Sequence, residues 1–325
     1  MLYSSVAGQE EIKASLIKSI NNNQVSHCYI FEGAKGMGKF NLALTFAQSL
    51  LCLNFREEPC NLCGSCIKAN SLNHPDLHII NEDEKSIKRE DIDDLINSIY
   101  KKPYESKMKV YIIKEAHLMT VQAANTFLKT LEEPPRDTVM ILLTINSSLL
   151  LPTIVSRCQE VKFRNISKEA IISHLMQFTS DVDAIELAAN YSRGNLNKAM
   201  NIINGNDDIL RRRGEIIKIF DKIINSDSEI IYELENYFDE QKDNIDTIIE
   251  IMIIWMRDVM FVNNNMDTLV INKDYIELLK IHGKKIEMNS DIIEFMQNVS
   301  DNIKSNVSYR LAVDNMLLKI QEVFK

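Results

Sequence analysis

Short apolar runs alternate with helically spaced apolar positions over the first 165 residues. The runs 27–31, 76–80, 109–113, 139–145 and 158–163 are candidate strands. Between them, 39–53, 88–101 and 120–131 carry apolar residues at helical spacing. This alternation predicts an α/β domain, a five-stranded parallel sheet with helices on its faces. From Ser167 onward the strand signal vanishes. Residues 167–179 and 181–191 read as helices, Ser192-Arg193-Gly194-Asn195 as a turn, and a further helix starts near Leu196. Asn204-Gly205-Asn206-Asp207-Asp208 reads as a linker. Beyond it, Leu311, Met316, Leu317 and Ile320 typify the helical spacing that runs to the end. The expected division is an α/β domain at 1–165, a small helical domain at 166–205 and an all-α domain at 206–325. No internal repeat or low-complexity tract interrupts it.

Composition narrows the class. Of 325 residues, 45% are apolar and 26% charged, as in ordinary globular proteins, and the few glycines and prolines argue against long disordered tails. The most apolar stretch, within 248–261, is cut by Glu250, Arg257 and Asp258, so it reads as a buried helix rather than a membrane span. Residues 1–16 show no basic leader followed by an apolar run, so a cytoplasmic location is expected, where cysteines serve more often as metal ligands than as disulfides. The net charge of −9 comes entirely from residues 166–325. An acidic half argues against that half wrapping nucleic acid. It fits a helical domain packed against other proteins, or simply a solvated acidic surface.

Gly33-Ala34-Lys35-Gly36-Met37-Gly38-Lys39 fits the phosphate-loop pattern G-x-x-x-x-G-K, after an expected strand and at the start of an expected helix. Gly33, Gly36 and Gly38 let backbone N–H groups turn inward around phosphate oxygens, and Lys39 would reach the β- and γ-phosphates. The next residue should offer a hydroxyl to Mg²⁺. Here it is Phe40, which has no oxygen for a hard cation. The third strand should end in Asp-Glu and ends instead in Lys114-Glu115. An ammonium about 5 Å from Mg²⁺ would repel it by roughly 6–7 kcal/mol at an effective dielectric near 20. A Lys114 turned to solvent would escape that cost. Glu115, the water-orienting carboxylate, is kept but has little to act on without the metal.

Cys52, Cys60, Cys63 and Cys66 give C-x7-C-x2-C-x2-C, with Pro59, Asn61 and Gly64 favouring tight turns between them. Four thiolates so spaced can close a tetrahedral Zn²⁺ site with no open position, which makes its role structural. Cys28 and Cys158 fall on expected strands without close cysteine partners and read as core residues.

Taken alone, Arg157 in Pro152-Thr153-Ile154-Val155-Ser156-Arg157-Cys158 reads as a surface or salt-bridging arginine. In order along the chain, the P-loop, the four-cysteine insert, Leu128-Lys129-Thr130-Leu131-Glu132-Glu133-Pro134-Pro135 and the Ser-Arg-Cys segment resemble the AAA+ clamp-loader family of bacterial DNA polymerase III. Val6-Ala7-Gly8-Gln9, His27 and His74-Pro75-Asp76 agree with it. The resemblance is strong over residues 1 to about 205, and the remainder matches only as a helical domain.

The resemblance implies an AAA+ P-loop domain, a helical lid and a helical collar that joins a heteropentamer. The family contains ATPase subunits of the gamma/tau type and a degenerate branch of the delta-prime type. An active subunit would carry Thr at Phe40, Asp at Lys114 and a lid arginine at Asn197; Lys198 would leave the helix about 100° away from it. These three losses, and a length without the long tau extension, point to the delta-prime branch. In that reading Arg157 acts in trans as an arginine finger on ATP held by a neighbouring subunit. The chain by itself is then not expected to hydrolyse ATP, though it would be a component of the polymerase holoenzyme. ATP or ADP would bind weakly, without Mg²⁺, through Lys39 and Lys114. Implied partners are the gamma/tau ATPase and delta subunits, with the sliding clamp and primed DNA reached through the complex, and no membrane. The competing reading is an active gamma/tau-type ATPase. A kinase or a zinc protein binding nucleic acid directly lacks, respectively, an acceptor-site motif and a basic, aromatic-rich surface.

Overall fold

Along β1 (Cys28–Glu32), β3 (Lys109–Ile113) and β4 (Thr138–Thr144), successive side chains enter two different cores. Tyr29, Phe31, Val110, Ile112, Val139, Ile141 and Leu143 face one; Cys28, Ile30, Tyr111, Ile113, Met140 and Leu142 face the other. A strand buried on both faces must be apolar at every position, which is why these runs are continuous rather than alternating. With β2 (Leu77–Ile80) and β5 (Gln159–Lys162) they form a five-stranded, wholly parallel sheet in the order β2-β3-β4-β1-β5. The expected α/β class is therefore observed. In this computed structural model, residues 2–81, 85–206, 208–226, 229–286, 291–304 and 308–324 are described, so Asp207 of the expected linker lies outside them.

Helices α1 (Glu10–Asn21) and α2 (Lys39–Leu51) contribute Leu16, Leu42, Phe46 and Leu51 to the first core. A short helix, α3 (Gly64–Asn70), follows in the cysteine insert. On the opposite face α4 (Arg89–Ile99), α5 (Val121–Glu132) and α6 (Pro152–Val155) bury Ile92, Leu95, Phe127, Leu131 and Ile154. Three further helices, α7 (Lys168–Leu175), α8 (Val182–Ser192) and α9 (Leu196–Ile203), complete this part. Two expectations are corrected. Helix α2 stops at Leu51, two residues early, because Cys52 is extended and turns the chain into the cysteine loop. Cys158 is not on a strand: its N–H bonds the Val155 carbonyl in a turn that precedes β5. That edge strand is short and largely exposed, as an unprotected edge must be.

The chain divides into two compact units, Met1–Met200 and Asn201–Lys325. The second is all helical: α10 (Ile209–Asn225), α11 (Ile230–Glu240), α12 (Ile245–Asn263), α13 (Ile276–Gly283), α14 (Asp291–Lys304) and α15 (Tyr309–Val323). Helix α12 packs against α10, α13 and α14 and is buried nearly all round, through Ile248, Met252, Trp255 and Val259. That position explains its apolar sequence, and no helix among the described residues is long and apolar enough to cross a membrane. Its charged Asp258 is fully buried, where it accepts the Ile271 and Asn272 N–H groups and the Asn272 amide at 2.7–3.1 Å. Arg213 donates to the same Asn272 at 2.6 Å, so the 271–275 turn is pinned from both sides.

Candidate functional site

The P-loop follows β1 at the carboxyl edge of the sheet, where open α/β sheets bind ligands. Gly36 and Gly38 have φ of +86° and +80°, conformations that L side chains rarely adopt. They bend the loop into the N-terminus of α2. Below it lies a cavity of about 450 Å³, bordered by the P-loop, the N-terminal residues Ser5, Val6 and Ala7, the end of β3 and the start of α9. Lys39, Phe40, Lys114, Glu115 and Asn197 all line it. The two expected metal-binding losses and the expected lid loss are thus brought to one place.

Inside the cavity Lys114 and Phe40 face one another. The Lys114 ammonium lies 5.5 Å from the Phe40 ring centroid, a cation–π contact. Lys114 is therefore turned inward onto Phe40, not to solvent. Lys39 is 7% exposed, and its ammonium donates to the Gly33 carbonyl at 2.5 Å and the Ala34 carbonyl at 2.9 Å. Burial pushes Lys39 below the ordinary lysine range, while the Glu115 carboxylate opposes that shift. Two of its three donors are spent on the loop's own carbonyls, which leaves one for a phosphate while those bonds are kept. The residues present do not fit a Mg²⁺ ion. Glu115 is the one carboxylate among the lining residues, Phe40 offers no oxygen, and the Lys114 ammonium lies beside it.

Two residues of this site were missed by sequence reasoning. Asn195 Nδ2 donates to the Lys35 carbonyl at 2.7 Å, and its Oδ1 accepts the Lys198 N–H at 3.0 Å at the start of α9. The amide lies so close over the loop that a Cβ on Gly36 would meet Oδ1 at 2.5 Å. His174 of α7 also lines the cavity. The signal for Asn195 was its position just before the helix expected near Leu196, the usual place for a helix-capping side chain; nothing in the sequence singled out His174.

Arg157 stands at the end of α6, away from this cavity. Its guanidinium donates to Glu132 at 2.8 Å and to the Thr153 carbonyl at 3.0 Å, and about a third of the side chain is exposed. The carboxylate comes from the last residue of α5, in the Leu-Glu-Glu-Pro-Pro segment, which the sequence could not pair with it.

The four cysteines converge. Sulfur atoms of Cys52, Cys60, Cys63 and Cys66 lie within 4.8 Å of one another, and Cys60 and Cys66 are 3.9 Å apart. Thiolates at about 2.3 Å from a tetrahedral Zn²⁺ would be about 3.8 Å apart, so the cluster fits the ion. Backbone N–H groups of Cys60, Cys63 and Cys66 point at the sulfurs of Cys52, Cys60 and Cys63, each at 3.4 Å. N–H groups of Leu62 and Cys63 hold the Cys60 thiol down to about 6, whereas burial raises Cys66. The insert is tied to α2: Gln48 donates to Asn61 at 2.8 Å and Ser65 donates to the Leu51 carbonyl at 2.7 Å. Ser65 also bonds His74 Nε2 at 2.8 Å, and His74 Nδ1 accepts the Asp76 N–H. Asp76, fully buried, accepts three backbone N–H groups from Tyr104, Glu105 and Ser106, which outweigh burial and hold its carboxyl below the usual range.

Comparison with known proteins agrees with this geometry. Residues 8–167 match the family described as DNA polymerase III, delta subunit, and residues 207–322 match its C-terminal family. The Bacillus subtilis DNA polymerase III subunit delta′ is 31% identical over 97% of this chain and 96% of its own length. The chain belongs to the delta-prime family of DNA polymerase III subunits. The Bacillus subtilis tau subunit is 31% identical over 68% of the chain but only 40% of its own length, whereas the delta-prime match covers 97% of the chain. A Thermotoga maritima gamma subunit-related protein shares the fold, with a TM-score of 0.50 and 19% identity over 96% of this chain and 99% of that one. The delta-prime match thus runs through both the sheet unit and the helical one.

Proposed function

We propose that this chain is a non-hydrolysing clamp-loader subunit that supports loading of the sliding clamp onto primed DNA. In this reading it assembles with gamma/tau and delta subunits into a heteropentamer and donates Arg157 to ATP held by a neighbour. Residues 166–205 would be the lid and 206–325 the collar. The observation that carries the reading is the Lys114–Phe40 contact, which puts an ammonium and a phenyl ring where a hydrolase needs oxygen ligands for its metal. A partly exposed Arg157, held at the surface by Glu132, is consistent with a role outside its own cleft. A guanidinium at a transferring phosphoryl group contributes roughly 10³–10⁵ in rate in other NTPases.

The cleft retains a backbone cradle and two inward lysines. Nucleotide binding would accordingly be weak and independent of Mg²⁺. The four cysteines would hold one structural zinc. Reconstitution with Arg157→Ala tests the central claim: clamp-stimulated ATP hydrolysis by the complex should fall, and undiminished hydrolysis would sink the role in trans.

The gamma/tau-type alternative is favoured by one observation, the retained Glu115 at the cavity wall. It requires turnover by the purified chain, abolished by Lys39→Ala.

A further inference from the structure

The cysteine insert reaches the nucleotide cleft by a second route, separate from α2. Glu58, two residues before Cys60, accepts the Tyr3 N–H at 2.6 Å and the Ser4 N–H at 2.9 Å, one on each carboxylate oxygen. These N–H groups open the short turn Tyr3–Ser5, where no acceptor within the turn is available to them. Hydrogen bonds donated to a carboxylate are the strong kind. The turn is closed by Ser5 N–H to the Leu2 carbonyl and Val6 N–H to the Tyr3 carbonyl. Tyr3 and Val6 are buried, and Ser5, Val6 and Ala7 form one wall of the cavity opposite the P-loop. Val6 is also the nearest side chain to a Cβ built on Gly38.

We propose that Glu58 is a positioning residue for the nucleotide cleft, through which zinc at the four cysteines sets the place of the N-terminal wall. The proposal rests on the reading of those cysteines as a zinc site. The physical chain is short. The loop from Cys52 to Cys60 holds Glu58 in place only if its two ends are fixed, and a metal bonded to both ends fixes them. Glu58 then fixes Tyr3 and Ser4, and the turn carries Val6 and Ala7 with it. Loss of the metal would leave the P-loop intact and loosen the wall that faces it.

Hydrogen exchange of the full chain, read by mass spectrometry on the N-terminal peptide, tests this at constant pH. Zinc content is measured on every sample. Glu58→Ala with zinc still bound should raise exchange at amides 3–6 about tenfold. Removing zinc from the unaltered chain should raise it to a similar level. Removing zinc from Glu58→Ala should add nothing further at these amides, although residues 52–66 loosen in both. Glu58→Gln, which keeps one good acceptor, should fall between and serves if the alanine variant does not fold. Protection of amides 3–6 that survives zinc removal, or an additive rise, overturns the coupling. A chain that takes up no zinc overturns the metal reading, and the Glu58 contact is then judged on its variants alone.

Discussion

The Lys114 ammonium sits 5.5 Å from the centre of the Phe40 ring, so the two residues that the sequence led us to expect to exclude a metal make a contact with each other. Restoring one oxygen would leave the other obstacle in place. Phe40→Thr alone faces a lysine, and Lys114→Asp alone faces a phenyl ring. Calorimetry with ADP should give similar affinities in EDTA and in Mg²⁺ for the unaltered chain and for either single variant. The double variant Phe40→Thr/Lys114→Asp should bind at least about tenfold more tightly in Mg²⁺, since a hard cation gains two oxygen ligands and loses a repelling charge. Strong Mg²⁺ enhancement in the unaltered chain would refute the account.

Much of this was legible in the sequence because it is local. The central strands β1, β3 and β4 are nearly continuous apolar runs, and the P-loop with its missing hydroxyl and the cysteine spacing are each local in the sequence. What the sequence could not convey are the long-range pairings. Glu132 with Arg157, Glu58 with Tyr3 and Asn195 with Lys35 join positions 25, 55 and 160 residues apart. No periodicity encodes such contacts; they follow from the order in which the strands are laid side by side. The same holds for Lys114, whose direction is set by Phe40 and was open until the sheet placed β3 near α2.

Arginine at position 157 should not be replaceable by lysine. Its planar fork bonds Glu132 and the Thr153 carbonyl while leaving further N–H groups for a phosphate. A lysine offers a single charged point in a different place. In the reconstituted complex Arg157→Lys should lose clamp-stimulated ATP hydrolysis nearly as fully as Arg157→Ala. Neither change should disturb the fold, because exposed ion pairs contribute about 0–1 kcal/mol. A shift in thermal midpoint larger than about 4 °C would point to a structural role instead.

Acid should destabilise the chain through His74 and His282. Burial lowers both below the ordinary histidine value of 6.5, and partners suit the neutral rings. His74 Nδ1 accepts from the Asp76 N–H, and His282 Nδ1 accepts from the Trp255 indole. Because the folded values are depressed, the unfolded chain takes up protons first. The stability these rings contribute is complete above about pH 6.5 and is lost as pH falls through their folded values. Asp76, also depressed, extends the loss below its unfolded value of 3.8. Urea unfolding at pH 8.5, 7.5 and 5.5 should show equal stability at the first two within error and a fall at the third. His74→Gln should be less stable at pH 8 and show a shallower fall.

Asn195 holds the P-loop and the start of α9 at once, and the two roles can be separated. Its Nδ2 donates to the Lys35 carbonyl, while its Oδ1 receives the Lys198 N–H. A nucleotide phosphate approaching the cradle competes with an amide that lies against Gly36. Releasing that amide removes one hydrogen bond, about 0.5–1.5 kcal/mol, which corresponds to roughly a two- to tenfold gain in ADP affinity. Alanine would also remove the helix cap, at a cost of about 1 kcal/mol to α9. Serine caps as well as asparagine but is too short to reach Lys35. Calorimetry should therefore find tighter ADP binding in both Asn195→Ala and Asn195→Ser, and thermal unfolding should find the larger loss in the alanine variant, which gives up the cap as well as the Lys35 bond. Equal ADP affinity in all three chains would mean that the amide does not guard the loop. Weaker binding in the serine variant would mean that Asn195 belongs to the nucleotide site itself.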